Sequence, residues 1–189
     1  MRRVTLVLGG ARSGKSRYAE TLAARHKQRI YLATAEIIDA EMRERVELHR
    51  AQRGKGWRTL EVPLDLVGAL READRPGSFA LVECITIWIN NLIYHDKDVA
   101  AELKLLGDAL TKLEGRVVLV SNEVGLGIVP DNALARRFRD EAGRANQALA
   151  QATDEVIFVA AGLPMVLKSA KPPERRRTPS KASKRARKG

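Results

Sequence analysis

Short apolar runs alternate with longer amphipathic segments along this chain. Apolar runs of five or six residues, bounded by glycine or polar residues, are typical of strands buried on both faces of a parallel sheet. The strands predicted in this way are 4–8, 29–34, 79–83, 116–121 and 155–160, and alternation of apolar and polar residues predicts a further short strand at 57–62. The predicted helices are 16–27, 39–53 (with Asp39 as N-cap), 64–73, about 98–114 and about 133–152, and the apolar segment 85–93 follows the strand 79–83. This alternation predicts a single α/β domain whose mainly parallel sheet carries helices on both faces.

The bulk composition narrows the class of protein. A chain of 189 residues is long enough for one domain with a sizeable core. A single cysteine excludes an internal disulfide framework and favours a reducing compartment. Two arginines precede the first apolar run, as in a signal peptide, but that run is only five residues long and meets a glycine loop. With no apolar stretch long enough to cross a bilayer, we expect a cytoplasmic protein.

The positive charge is concentrated at one end of the chain. The net charge is +11, and residues 168–189 hold ten basic side chains and one acidic, which leaves +2 for residues 1–167. The chain is therefore divided into a nearly balanced domain, 1–167, and a basic tail rich in Pro, Ser, Lys and Arg. Such a tail buries too little apolar surface to fold, so we expect disorder, with weak nucleic-acid contact as a possible property.

The segment GGARSGKS, residues 9–16, matches the phosphate-loop pattern G-x-x-x-x-G-K-[ST]. Glycines allow backbone N–H groups to surround phosphate oxygens, and the helix that follows adds partial positive charge. Lys15 would reach the terminal phosphates, and the Ser16 hydroxyl could hold Mg²⁺. An ordinary glycine turn is the alternative, but a buried strand enters this loop and an amphipathic helix leaves it, as phosphate binding requires.

A phosphate loop needs an acidic residue near its metal ion. Glu83 ends the apolar strand 79–83, at the edge where open α/β sheets bind ligands. Aspartate is more usual there, but glutamate supplies the same oxygen ligands. A strand-end carboxylate without a metal is the alternative. The adjacent Cys84 is interpreted as a small buried residue and not as a reactive thiol.

His49 lies in a strongly basic segment of the predicted helix 39–53. It shares a stripe with Met42 and Val46, and Arg45 and Arg53 lie one turn away on either side. Positive neighbours disfavour the protonated imidazole, so a neutral, nucleophilic ring beside phosphate-binding guanidiniums is one interpretation. A half-buried histidine on a solvated basic helix is the other, and spacing alone favours it. The remaining histidines, at positions 26 and 95, are interpreted as surface residues.

The chain resembles the bifunctional adenosylcobinamide kinase/adenosylcobinamide-phosphate guanylyltransferases of cobalamin biosynthesis. The resembling segments cover nearly all of residues 9–168, and their combination is specific although each alone is not. These segments are GGARSGKS (9–16), YLATAE (31–36), DAEMRERVELHRAQRGKGWRTLE (39–61), LVECITIWINNL (81–92), VLVSNEVGLGIVPDNALARRFRDEAGRANQALA (118–150) and DEVIFVAAGLPMVLK (154–168). The tail beyond position 168 lies outside the resemblance.

The resemblance implies roles for individual residues. His49, in the pattern that continues through Arg50, Trp57 and 58–61, corresponds to the histidine that takes GMP covalently in that family, which reverses the interpretation from spacing alone. Lys15 joins it as a catalytic residue, and Ser16 and Glu83 as metal ligands. The implied nucleotide-binding residues are Gly9, Gly10, Ala11, Arg12, Ser13, Gly14, Lys15, Ser16, Thr34, Ala35, Glu36, Glu61 and Glu83.

The implied function is a two-activity enzyme. It would phosphorylate adenosylcobinamide with ATP or GTP, and transfer GMP from GTP to adenosylcobinamide phosphate through GMP-histidine, with Mg²⁺ as cofactor. A RecA-like sheet and a homo-oligomer, expected to be a trimer, are implied too. Two alternatives stay open: a single-activity P-loop kinase for another small molecule, and a P-loop ATPase that acts on nucleic acid. The small charge of residues 1–167 and the scarcity of aromatic residues disfavour the second.

Overall fold

The computed structural model describes residues 3–36, 43–44, 47, 53 and 55–169. Seven strands of this part of the chain form one sheet, in the order β3-β2-β4-β5-β1-β6-β7. The strands are β1 Arg3–Gly9, β2 Arg29–Ala33, β3 Trp57–Glu61, β4 Phe79–Glu83, β5 Arg116–Asn122, β6 Glu155–Ala160 and β7 Leu163–Lys168. The helices are α1 Lys15–Thr21, α2 Leu66–Ala73, α3 Ile85–Tyr94, α4 Val99–Leu110 and α5 Ala133–Ala152. The predicted α/β domain with a mainly parallel sheet is confirmed.

The sheet is buried on both faces because its strands carry apolar side chains on both. On β1, Leu6 and Leu8 face the helices α2 to α5, while Val7 faces α1. This alternation follows from the two-residue period of a strand. The largest core cluster surrounds the fully buried Trp88 of α3, whose indole Nε1 donates to the carbonyl of Leu64 at 2.8 Å. Both faces of the central strands are therefore hydrophobic core, which leaves the edge where the strands end as the place for a ligand site.

Three helices begin at a side chain that caps their first backbone N–H groups. Asp65 accepts from Gly68 N at 2.8 Å, Asp98 from Ala101 N at 3.1 Å, and Asn132 from Ala135 N at 2.7 Å. Each cap satisfies a donor that has no partner within the helix. These caps set the observed starts of α2, α4 and α5 within two residues of the predicted ones.

Two elements differ from the sequence expectation. The helix predicted over 16–27 ends at Thr21, and the chain then continues in turns whose N–H groups bond three residues back, as from Leu22 to Ala19 at 3.2 Å. The strand β7 was not predicted. It follows β6 through a tight turn at Ala161 and Gly162 and pairs with it antiparallel. Its last residue, Lys168, donates to carbonyls at the end of α5, including Ala150 O at 2.9 Å.

Two predicted segments lie largely outside the described residues. The helix 39–53 is described only at residues 43–44, 47 and 53, of which the first three are helical and exposed. The basic tail is described only at 168 and 169, so its predicted disorder stays a prediction. In the part of the chain that the structure covers, no helix combines the length and the hydropathy that a membrane span requires.

The strand order brings distant parts of the sequence to one edge. β5 lies between β1 and β4, and all three run parallel, so their carboxyl ends point the same way. Gly9 at the end of β1 pairs with Asn122 on β5, and Glu83 at the end of β4 lies at the level of Val120. The loop that follows β1 and the acidic residue that ends β4 therefore meet above β5.

Candidate active site

The loop from Gly9 to Ser16 joins β1 to α1 and requires glycine at both of its key positions. A Cβ atom at Gly9 would lie 2.5 Å from both Ser13 Oγ and the carbonyl oxygen of Val159. Gly14 has a φ of 94°, and a Cβ there would lie 3.1 Å from the Cα atom of Gly162. Both sites exclude larger residues, by contact at the first and by backbone conformation at the second. The loop therefore has the tight shape that the sequence pattern predicted.

The turn between β6 and β7 holds this loop from outside. Gly162 N donates to the carbonyl oxygen of Ser13 at 2.8 Å. Ala161 and Gly162 both have positive φ values, 50° and 80°, which create the tight turn. Sequence reasoning missed this support, although the signal was present as a small-residue turn, Ala-Ala-Gly, between two apolar runs.

Lys15 lies within the loop with only 8% of its surface exposed. Its Nζ donates to the carbonyl oxygen of Gly10 at 3.3 Å, so the side chain folds back over the loop and not outward into solvent. The loop backbone is also tied to β5, because Glu123 N donates to Gly9 O at 3.0 Å. The ammonium group is thus held over the loop, at the place that phosphates would occupy.

Ser16 and Glu83 meet, as their predicted metal-binding roles require. Ser16 Oγ donates to Glu83 Oε1 at 2.8 Å across a sequence separation of 67 residues. The other carboxylate oxygen, Oε2, is buried and lacks a hydrogen-bond partner. Burial raises the pKa of Glu83 to about 7, although the Ser16 hydrogen bond and the charge of Lys15 oppose the rise. An unpartnered carboxylate oxygen beside a hydroxyl is a set of donors that suits a hard divalent cation.

Thr34 fastens the end of β2 to the end of β4. Its Oγ1 donates to the carbonyl oxygen of Cys84 and accepts from Cys84 N, both at 2.8 Å. Asn91 Nδ2 donates to the carbonyl oxygen of Thr34 at 2.7 Å. Thr34 is fully buried, so its hydroxyl positions the backbone beside Glu83, and a nucleotide contact by this residue stays a prediction.

Burial raises the pKa of the Cys84 thiol to about 11, which agrees with its interpretation as an unreactive core residue.

The other predicted nucleotide-binding residues lie along the same edge. Glu61 ends β3 and is exposed, at the level of Ala33 on β2, which in turn is level with Glu83 on β4. Ala35 and Glu36 follow β2 and are half-buried. Glu36 Oε1 lies 3.0 Å from Nε2 of His95 on the last turn of the α3 region. These residues thus lie at the same sheet edge as Glu83. They follow or end strands β2 and β3, which in the strand order are farther from β1 and its phosphate loop than β4 is.

His49, the predicted nucleophile, lies outside the described residues. Arg53, four positions later, is described. Its guanidinium carbon lies 3.5 Å from the centroid of the Tyr31 ring, and its Nη2 donates to Thr59 Oγ1 at 3.4 Å. Its charge lowers the pKa of Glu83, although burial of that carboxyl outweighs the effect. Arg53 therefore lies on the α1 side of the sheet, where the phosphate loop also lies.

The two other histidines were predicted to lie at the surface, and the structure places them there. His26 is half-exposed, with Nδ1 3.3 Å from the carbonyl oxygen of Gly77. His95 is exposed and contacts Glu36, as described above.

A buried polar network under the end of β5 was not anticipated from the sequence. Ser121 Oγ donates to Asn146 Oδ1 at 2.7 Å, and the Thr86 hydroxyl accepts from Asn122 N at 2.6 Å. Asn146 Nδ2 also donates to Asn122 O at 3.2 Å. These bonds join α3, β5 and α5 and hold the backbone of Asn122 beside Gly9. The signal in the sequence was a polar Ser-Asn pair at the end of an apolar strand.

Comparison with known proteins decides the family of the chain. Residues 5–167 match the family model described as cobinamide kinase / cobinamide phosphate guanyltransferase. This chain belongs to that family. The resemblance inferred from the sequence motifs is thereby confirmed, and the match covers the whole described sheet except Arg3, Val4 and Lys168.

Curated relatives share close to half of their residues with this family member. The bifunctional adenosylcobalamin biosynthesis protein CobP of Pseudomonas aeruginosa is 49% identical over 166 residues, covering 86% of this chain and 96% of the relative. CobU proteins of the same description from Escherichia coli K12 and Salmonella typhimurium LT2 are each 43% identical over 178 residues, covering 86% of this chain and 98% of each relative. The chain therefore spans nearly the full length of these bifunctional proteins.

Solved structures with little sequence similarity share the fold. A protein from Pyrococcus horikoshii OT3 superposes with a TM-score of 0.54 at 9% identity, covering 89% of this chain and 87% of the other. An ATPase of a bacterial type III secretion system superposes with a TM-score of 0.53 at 10% identity, covering 87% of this chain and 56% of the ATPase. At this identity the likeness concerns the fold alone, and it agrees with the predicted P-loop NTPase class.

Proposed function

We propose that this chain phosphorylates adenosylcobinamide and then transfers GMP from GTP to adenosylcobinamide phosphate, giving adenosyl-GDP-cobinamide. The observation that carries the proposal is the contact between Ser16 and Glu83, which brings the two predicted metal ligands together beside the loop. The chain that holds them matches a bifunctional family over residues 5–167. The relatives bear names of bifunctional adenosylcobalamin biosynthesis proteins, which supports two activities in one domain.

In the kinase reaction, the hydroxyl oxygen of the aminopropanol arm attacks the γ-phosphorus of ATP or GTP. A new O–P bond forms, the bond between that phosphorus and the β,γ-bridging oxygen breaks, and the nucleoside diphosphate leaves while the hydroxyl loses its proton. The loop residues 9–16 orient the phosphates through backbone N–H groups, and Lys15 neutralises charge on the β- and γ-phosphates. Positioning and charge supply the catalysis, since the transfer needs little covalent chemistry from the protein.

Ser16 and Glu83 are the residues that would hold Mg²⁺. The buried, unpartnered Oε2 of Glu83 fits this role because a cation would supply both the missing partner and the compensating charge. When bound, Mg²⁺ would neutralise charge on the phosphate oxygens. Thr34 contributes indirectly, since its hydroxyl fixes the backbone of Cys84 next to Glu83.

In the guanylyl transfer, His49 acts as the nucleophile. An imidazole nitrogen forms a bond to the α-phosphorus of GTP, the bond to the α,β-bridging oxygen breaks, and pyrophosphate leaves. The phosphate of adenosylcobinamide phosphate then attacks the same phosphorus, the N–P bond breaks, and the free histidine returns. Arg53 supports this assignment, because its guanidinium lies over the Tyr31 ring on the α1 side of the sheet, where the phosphate loop also lies. A covalent intermediate divides one difficult displacement into two easier ones.

Labelling with α-³²P GTP tests the covalent step. We expect the wild-type protein to retain label after denaturation, and the label to be labile in acid and stable in alkali, as a phosphoramidate is. His49→Asn keeps the side-chain volume close to that of histidine and removes the nucleophile, so it should take up no label. His26→Asn and His95→Asn are the matched controls and should label like the wild type.

The same variants separate the two activities. With ATP as the phosphate donor, His49→Asn should retain much of the kinase turnover, since that reaction forms no GMP-histidine. Label on His49→Asn, or label that maps to Lys15, would overturn the guanylylation mechanism. A wild-type protein that phosphorylates a substrate but never takes up label would indicate the single-activity kinase instead.

Three further properties belong to this proposal. We propose a homo-oligomer, expected to be a trimer. The exposed apolar side chains of β7, such as Leu163 and Val166, support an association surface. Sedimentation of the purified protein measures its oligomeric state.

A cytoplasmic location is supported by the single cysteine and by its burial in the reduced form. The basic tail is proposed to contact nucleic acids weakly, in a salt-dependent manner.

A further inference from the structure

A cavity of ≈ 380 Å³ opens at the catalytic edge of the sheet, on the side opposite α1. It lies between α3 and α5, under the segment that follows β5. Its lining includes Thr86, Asn90, Tyr94, Asn122, Val124 and Phe138. Glu36, one of the predicted nucleotide-binding residues, also lines the cavity, whereas these six residues have no role in the proposed nucleotide site.

The floor of this cavity adjoins the phosphate loop. Asn122 pairs in register with Gly9, the first residue of the loop, on neighbouring parallel strands, which are about 5 Å apart. Thr86, on the first turn of α3, comes three residues after Glu83, and its hydroxyl accepts from Asn122 N. A group that contacts Thr86 and Asn122 would therefore be separated from the expected position of the terminal phosphate only by the ends of β5 and β1.

The lining is mixed in chemistry. Val124 and Phe138 supply apolar walls, while the carboxamides of Asn90 and Asn91 supply polar groups. The amide nitrogen of Asn91 is committed to the carbonyl oxygens of Thr34 and Pro63, whereas Asn90 is exposed at the cavity. An occupant would thus bury alkyl surface and exchange hydrogen bonds with Asn90.

The mouth of the cavity carries exposed apolar surface. Tyr94, at the end of α3, is 78% exposed, and the segment that begins at Val124 continues with Leu126 and Ile128, which are 83% and 97% exposed. Large apolar side chains that face solvent together commonly mark a binding surface. The cavity therefore combines polar lining groups with the exposed ring of Tyr94.

We propose that this cavity is the acceptor subsite, which takes the aminopropanol arm of the corrinoid and presents its hydroxyl to the phosphate loop. This inference rests on the proposed function and extends it to the second substrate. A space of ≈ 380 Å³ accommodates a short amide-linked arm but not a corrin macrocycle, so the macrocycle stays outside the cavity, against the exposed ring of Tyr94. Asn90 recognises an amide group of the arm or of a peripheral side chain, because a carboxamide both donates and accepts.

Direct binding of cobinamide, followed by its visible absorption in equilibrium dialysis, tests the subsite. Asn90→Leu removes the carboxamide at nearly constant volume, and Tyr94→Ala removes the exposed ring. Both positions are exposed, so neither change removes core packing. Losing one hydrogen bond or one ring contact should raise the Kd for cobinamide about five- to tenfold. Leu105→Ala, at a 51% exposed apolar residue on α4, is the matched control and should leave the Kd unchanged.

Steady-state kinetics then show which substrate the cavity serves. In Asn90→Leu and Tyr94→Ala, the KM for adenosylcobinamide should rise with the Kd, while the KM for ATP and the labelling by α-³²P GTP stay within twofold of the wild type. An unchanged cobinamide Kd in both variants would overturn the inference. So would a parallel rise in the nucleotide KM, which would indicate that the cavity holds a nucleotide.

The two proposals fail in different ways. A wild-type protein that binds cobinamide without phosphorylating it would refute the proposed kinase activity, and the variant Kd values would still decide the subsite. A wild-type protein that binds no cobinamide at all would overturn both.

Discussion

Replacing Glu83 by glutamine should stabilise the fold at neutral and alkaline pH while it weakens catalysis. Burial raises the pKa of this carboxyl from 4.5 to about 7. As pH rises from 4.5 to 7, the unfolded chain releases this proton and the folded chain keeps it, so the free energy of unfolding falls and then stays level above 7. A shift of this size corresponds to about 3 kcal/mol, at about 1.4 kcal/mol for each pKa unit. The value is an upper bound, since Glu83 is only half-buried and solvent screens part of the effect.

Urea unfolding of the wild type and of Glu83→Gln between pH 4.5 and 8 measures this effect. The difference between the two proteins isolates Glu83 from the other acidic groups, and we expect the variant to gain up to about 3 kcal/mol relative to the wild type at pH 8 and little at pH 4.5. Glutamine still accepts from Ser16 but lacks charge, so the Mg²⁺ concentration needed for half-maximal kinase turnover should rise. Glu72→Gln, at a 61% exposed carboxylate paired with Arg58, is the control and should show no comparable pH dependence.

A Glu83→Gln variant that is less stable than the wild type at pH 8 would contradict the predicted stabilisation. So would a variant whose free energy of unfolding depends on pH in the same way as that of the wild type. An unchanged Mg²⁺ dependence together with the expected stabilisation would contradict only the metal-binding role of Glu83. In that case Glu83 would be a buried acid with no part in holding a metal ion.

Three further outcomes are expected. Lys15→Ala should lower kinase turnover at least about 100-fold, because it removes the charge over the loop, while urea unfolding shows little change; wild-type turnover would contradict this. Thr34→Val should lower the free energy of unfolding by about 1–3 kcal/mol, since it leaves the buried N–H of Cys84 without its acceptor, whereas Thr34→Ser should restore most of it. Truncation after Lys168 should leave both activities and the thermal midpoint nearly unchanged, because Lys168 itself bonds to the end of α5; a large loss of turnover would show that the tail acts at the site.

Six of the seven strands, the phosphate loop and the candidate site residues could be predicted from the sequence alone. Those features depend on local patterns: continuous apolar runs specify buried strands, and the spacing from Gly9 to Ser16 specifies a loop that only glycine can close. Glu83 could be selected because the end of a buried parallel strand is where an α/β sheet binds ligands. Motif combinations over the rest of the chain indicated the family without any coordinates.

The contacts between these residues could be seen only in the tertiary structure. The Ser16–Glu83 contact spans 67 positions and the Thr34–Cys84 contact spans 50, and both depend on strand order, which no local pattern specifies. The strand β7 escaped the sequence reasoning because it is an edge strand with every residue exposed, so it shows no buried alternation. The cavity between α3 and α5 arises for the same reason as the candidate site: parallel strands end at one edge, and the helices that follow them pack on opposite faces of the sheet.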